Sequence, residues 1–217
     1  MMSKVYVIRR LPDELGRYPL SGEFKPEQLP EAYANLMEVK LDSFPWDVNG
    51  YKPDCRARMG WNDKGLHILM YANEPTIRAE ETEIGGFVCC DSCLECFLMP
   101  KEGNPLYFNF ECSPAPVVHL GVGDGRHNRT VYRTLPEGVE VVASEHKGAW
   151  WAVSYTIPAA FLMNHFGLKL ASGQKMRGNF YKCADKHEKP HYGMYVPYDI
   201  PRPDYHRPER FADFVTE

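Results

Sequence analysis

Apolar and polar residues alternate with a period of two along most of the chain, which is the pattern of half-buried β-strands. The clearest case is residues 88–112, where two apolar-rich runs flank Lys101, Glu102, Gly103, Asn104 and Pro105 and predict a hairpin with a five-residue loop. In the first run Cys89, Asp91, Cys93, Glu95 and Phe97 share one face, and Cys90, Ser92, Leu94, Cys96 and Leu98 the other. In the second, Leu106, Phe108 and Phe110 are apolar, whereas Tyr107, Asn109 and Glu111 are polar. Pairing the apolar faces leaves Asp91, Glu95, Tyr107, Asn109 and Glu111 as a row of hydrogen-bonding groups. A second hairpin turns at Asn62, Asp63, Lys64 and Gly65, with Ala57, Met59 and Trp61 on its core face and Arg56, Arg58 and Gly60 opposite.

Further strands are predicted over 36–41, 117–122, 129–135, 139–145, 149–157 and 175–183. In the strand at 149–157, Trp151, Val153, Tyr155 and Ile157 take the core face, so Trp150 points outward. The one convincing helix is near 158–166, opened by Pro158 and stopped by Gly167. Residues 1–35, broken by Pro12, Pro19, Pro26 and Pro30, read as a wrapping N-terminal arm; the Pro- and aromatic-rich tail after Asp185 reads as an ordered loop ending in a closing strand. The fold class is therefore all-β: a two-sheet antiparallel β-sandwich of immunoglobulin-like or jelly-roll type, with one short helix and a single domain over residues 1–217.

Composition narrows the function classes. A hydrophobic content of 44% over 217 residues supports a substantial core. With 25 Lys and Arg against 29 Asp and Glu there is no basic stripe to track phosphates, so nucleic acid is not an expected partner. Arg9 and Arg10 interrupt the first apolar run, and no run reaches membrane-spanning length, so neither a secretory leader nor a membrane is expected. Seven cysteines form an odd set placed in apparent strands, which reads as reduced thiols in a cytoplasmic protein.

Cys90, Cys93 and Cys96 give C-x-x-C spacing twice, as in zinc knuckles. On a strand, residues three apart face opposite sides and cannot close on one ion, so buried thiols are the better reading and no metal ligands are assigned. The loop Gly123, Asp124, Gly125, Arg126, His127, Asn128 lacks the EF-hand pattern and reads as a turn. The polar sheet face is consistent with a ligand surface or with plain solvation. Trp46, in a proline-bearing loop, either meets a ligand or caps the core, and Arg58 can pair with Glu95 or Glu111 or grip sugar hydroxyls.

The ordered series A-R-M-G-W-N-D-K-G-L-H from Ala57, D-S-C-L-E-C-F-L from Asp91, Y-F-N-F-E from Tyr107 and W-x-V-S-Y-T-I-P from Trp151 continues with N-F-Y-K-C-A-D from Asn179, P-H-Y from Pro190 and P-D-Y-H-R-P-E-R-F from Pro203. Together these resemble the family 9-like carbohydrate-binding proteins of the DOMON-type β-sandwich group. The resemblance implies two antiparallel sheets, non-catalytic binding of a mono- or oligosaccharide with aromatic rings stacked on the pyranose, and structural calcium ions. Sugar rings present apolar C–H faces and polar edges. On that basis Trp46 and Trp150 are the candidate platforms, and Arg58, Asp91, Glu95, Asn109, Glu111, Asn179 and Tyr181 the candidate edge readers. Arg58, Glu95, Asn109 and Asn179 are expected in one shared cleft. Two alternatives follow from the same residues. Nine Met and eight His would supply axial ligands to haem in a DOMON-type cytochrome domain, though no C-x-x-C-H motif is present. Asp91, Glu95 and Glu111 would supply the carboxylate pair of a glycosidase.

Overall fold

The computed structural model of the chain describes residues 5–20 and 24–217. Its thirteen strands among the described residues fall in two layers. Sheet A holds β1 (Val5–Arg10), β5 (Cys93–Met99), β6 (Tyr107–Cys112), β7 (Val118–Gly123), β8 (Arg129–Val131), β11 (Lys175–Ala184), β12 (His191–Met194) and β13 (Ala212–Thr216). Sheet B holds β2 (Glu38–Lys40), β3 (Asp54–Asn62), β4 (Gly65–Asn73), β9 (Glu140–His146) and β10 (Trp150–Pro158). Two short α-helices, α1 (Glu31–Ala34) and α2 (Ala159–Phe166), and three 3-10 turns complete the regular structure of the described residues.

The strand order is β8-β7-β6-β5-β11-β13-β1-β3-β4-β10-β9, with β12 beside β11 and β2 beside β3. All these pairings are antiparallel except at β1, which runs parallel to β13 through Val5–Ile8 and parallel to β3 through Arg9 and Arg10. The expected all-antiparallel sandwich is corrected there: one strand crosses from layer to layer and makes the two sheets a single curled one. β1 also corrects the expected arm, because its Tyr6 and Ile8 are fully buried in the central core. The residues that do wrap are 11–20 and 24–36, whose Leu11, Leu20, Phe24, Tyr33 and Leu36 cover Leu69, Tyr71 and Ala152 on the outside of sheet B. Residues 1–4 and 21–23 of the expected arm lie outside the described residues.

Alternation sets the core. Ala57, Met59, Trp61, Ile68, Met70, Trp151, Val153 and Tyr155 from sheet B meet Leu94, Cys96, Leu98, Phe108, Phe110, Leu120 and Phe180 from sheet A. Phe110 and Tyr155 stack across the layers at 4.0 Å. The expected helix forms at α2, closed by Gly167 in the left-handed region (φ 60°), where a side chain would strain the backbone. The 88–112 hairpin is shorter than predicted. Val88–Cys90 form a single 3-10 turn and β5 begins only at Cys93, because the chain must leave the sheet to anchor Asp91. The predicted strand 129–135 likewise shrinks to β8.

Candidate functional site

The outer face of sheet A is not open to water like an ordinary solvated face. Cys93, Phe97, Tyr107, Tyr181 and Cys183 point outward from it and are covered by Tyr198, Tyr205 and Phe211 of the tail, a second buried cluster outside the central core. The tail is fixed by Asn179, whose Nδ2 donates to the Val196 carbonyl (2.9 Å) while its Oδ1 accepts from the N–H groups of Val196 and Phe180 (3.0 Å each). Tyr205 then stacks on Tyr181 at 4.0 Å and donates to the Lys182 carbonyl.

Beside this covered patch lies a polar floor. The register pairs Tyr181 with Glu95, Glu95 with Glu111 and Glu111 with His119, so four side chains form one row across β11, β5, β6 and β7. Asn109 sits in the next row, opposite Phe97 and Gly121. Glu95 and Asn109 are buried, and Glu111 is 7% exposed. Asn109 Nδ2 donates to Glu111 Oε1 at 2.7 Å, but Asn109 Oδ1 is buried without a partner. From β8, Arg129 reaches over the sheet, donating through Nη1 to His206 Nδ1 (2.6 Å) and the Tyr107 hydroxyl (3.3 Å), while its Nε and Nη2 are buried and unpartnered. Gly121 permits this crossing: a Cβ there would lie 2.6 Å from Asn109 Oδ1 and 2.9 Å from Arg129 Nε. Both unsatisfied groups therefore converge above a backbone with no side chain. Buried polar atoms left unpaired cost stability, and their usual explanation is a missing partner.

Electrostatics reinforce that picture. Burial pushes the Glu95 carboxyl well above the ordinary carboxylate range, with the charges of Glu111 and Asp185 adding to it. A protonated Glu95 donates as well as accepts. Burial, then the Arg129 and Arg126 guanidiniums, hold His206 down at about 3, so its Nδ1 stays a neutral acceptor for Arg129. The rim is half-exposed. Arg126 Nη2 donates to Asp204 Oδ1 at 2.6 Å, and Trp46 donates through Nε1 to the Ile200 carbonyl at 2.7 Å with Tyr192, Tyr198 and Tyr205 packed around its ring.

Of the sequence-predicted residues, the structure brings together Glu95, Asn109 and Glu111 on the floor and puts Trp46 at the rim. Tyr181 and Asn179 share the face, but the first is stacked under Tyr205 and the second is engaged with the tail. Asp91 is a loop anchor: fully buried, its carboxylate takes Arg78 and the N–H groups of Glu80 (2.9 Å) and Glu81 (2.8 Å). Arg58 and Trp150 are elsewhere. They lie on the outer face of sheet B, across the whole core from Glu95, in a groove of about 610 Å³ with Phe24, Glu38 and Arg56. There Arg58 pairs with Glu38 at 2.9 Å and donates to the carbonyls of Ala34 (2.9 Å) and Leu36 (2.8 Å), leaving only its Nε without a partner. The expected single cleft shared by Arg58, Glu95, Asn109 and Asn179 is thus corrected. Arg129, His206 and Gly121 were missed. The one signal for them was Gly121 and Gly123 within a strand, a mark of close approach by another group.

The outer face of sheet A thus carries a buried polar row with unsatisfied groups, flanked by the aromatic cluster of the tail and Trp46. The family 9 carbohydrate-binding profile matches residues 24–215, and the chain belongs to that family. A protein from Bacteroides uniformis ATCC 8492 that is classed as carbohydrate-binding is 26% identical, with a TM-score of 0.79 over 99% of this chain and 100% of its own. A family 9 module from Caldicellulosiruptor kristjanssonii, seen with glucose, superposes with a TM-score of 0.63 at 10% identity over 99% of this chain and 96% of its own. Its complex with cellotriose gives 0.64 at 8% identity, over 99% and 94%. No curated protein matches the chain.

Proposed function

We propose that the outer face of sheet A binds a mono- or oligosaccharide without catalysing its conversion, with Glu95, Asn109, Glu111 and Arg129 reading hydroxyl edges and Trp46 supplying a ring at the rim. The observation that carries this reading is the pair of unsatisfied groups above Gly121: Asn109 Oδ1, an acceptor without a donor, and Arg129 Nε and Nη2, donors without an acceptor. A vicinal diol offers both kinds of partner within one ring edge. The family's non-catalytic character and the glucose and cellotriose held by the Caldicellulosiruptor module support a sugar ligand.

Calorimetric titration with glucose and cello-oligosaccharides tests it. Asn109→Ala and Glu111→Gln should each weaken binding by about 1–3 kcal/mol, the range for hydrogen bonds involving neutral and charged groups. Wild-type affinity in both variants would move the site off this floor, and silence toward every sugar in a broad panel would reject the ligand class.

A further inference from the structure

Cys89 and Cys90 do not lie on a strand, and that changes what they can do. In the 3-10 turn at Val88–Cys90 the strand rule that separates neighbouring thiols onto opposite faces no longer applies. The turn is fastened to the end of β11 by three bonds. Asp185 N–H donates to the Cys89 carbonyl (2.9 Å), Lys186 N–H to the Cys90 carbonyl (3.0 Å), and the Cys183 thiol to the Cys89 carbonyl (3.4 Å). These ties hold the sulfurs of Cys89 and Cys90 and a carboxylate oxygen of Asp185 within 4.8 Å of one another. The two cysteines are half-buried and Asp185 is exposed, so the cluster is reachable from solvent. Asp185 is further oriented by the Tyr192 hydroxyl and by the Cys183 thiol at 3.2 Å.

We infer that Cys89, Cys90 and Asp185 form a binding site for a thiophilic divalent cation of the zinc type. Metal–sulfur bonds of about 2.3 Å place tetrahedral ligand atoms about 3.7 Å apart, so closure from the present spacing needs side-chain movements of about 1 Å or less. Two thiols and a carboxylate suit zinc rather than calcium, which takes six to eight oxygens. On binding, the two thiol protons leave for solvent, two metal–sulfur bonds and one metal–oxygen bond form, and water fills the fourth position; no electron changes hands. The site stands independently of the sugar reading, since none of its three ligands is assigned to sugar recognition.

Cobalt reports thiolate ligation directly. Titrating Co²⁺ into the full chain, reduced with a non-chelating phosphine, should give a sulfur-to-cobalt charge-transfer band that saturates at one equivalent. A Cys89→Ser, Cys90→Ser double variant with native near-ultraviolet dichroism should lose it. In the unaltered chain, zinc at ten times its dissociation constant should slow alkylation of Cys89 and Cys90 about tenfold, mapped by mass spectrometry. No charge-transfer band, a band that survives in the double variant, or alkylation rates indifferent to zinc would each overturn the assignment.

Discussion

At the scale of single residues, Glu95 is the side chain at which stability and the proposed sugar binding pull apart. Its folded pKa lies well above the ordinary 4.5, first through burial and then through Glu111 and Asp185. The native state therefore keeps a proton that the unfolded chain releases. Stability linked to Glu95 is present below pH 4.5 and is lost as pH rises through the folded value. Glu95→Gln removes that loss while keeping shape and hydrogen-bonding capacity. The urea midpoint of the variant should exceed that of the parent at pH 7 to 8 and approach it near pH 4, while its sugar affinity falls. A variant less stable than the parent at neutral pH would mean that Glu95 is held by partners that outweigh its desolvation. Functional groups maintained at a cost to stability are a familiar trade-off.

At the scale of elements, Asn179 joins a strand to the segment that roofs it. Its three hydrogen bonds to Val196 and Phe180 fix the tail over Tyr181, and with the amide gone the backbone N–H and carbonyl of Val196 lose their partners. Asn179→Ala should lower unfolding free energy by about 2–4 kcal/mol and expose Tyr205, read by denaturant titration and by tyrosine fluorescence quenching. Equal quenching in variant and parent would show that the aromatic stack alone holds the tail.

The same strand marks how far the sequence could be read. Period-two alternation correctly assigned the inner and outer positions of β3, β5, β6 and β10, because one-sided burial imposes that pattern on every strand of a sandwich. Alternation names a side of a strand but not its neighbours, so Arg58 and Glu95, both facing away from the core, were expected together and stand on opposite outer faces. It also equates the outer side with open water, and here the tail makes Tyr181 as buried as any core residue. The apolar run through Val88, Cys89 and Cys90 has the composition of a strand; its 3-10 conformation is set by long-range ties to Cys183, Asp185 and Lys186 that no local window contains.

At the scale of the whole molecule, the two layers are joined at one end by charge as well as by apolar packing. Lys182 of sheet A lies 3.3 Å from Glu74 just beyond β4 of sheet B, both side chains fully buried, and the same carboxylate accepts from Trp151 Nε1 at 2.7 Å with His191 at 3.2 Å. Burial alone would raise the Glu74 pKa, yet Lys182, His191 and Trp151 bring it down to about 2. Lys182→Met leaves that carboxylate without its ammonium partner and should cost about 3–5 kcal/mol, whereas Glu74→Gln combined with Lys182→Met should cost much less. A double variant as unstable as the sum of the two singles would show that the pair is not coupled.

The crossing strand β1 has a consequence for synthesis of the chain. Its partner β13 lies roughly 200 residues further on, whereas its other partner, β3, follows within about 50, so it is the edge toward β13 that waits for the tail. At about 10 residues per second, β1 emerges about 20 s before the strand that completes it. During that interval the nascent chain displays Tyr6, Ile8 and the edge of β1 that β13 will cover, and its final topology is decided only when the tail arrives to seal the seam.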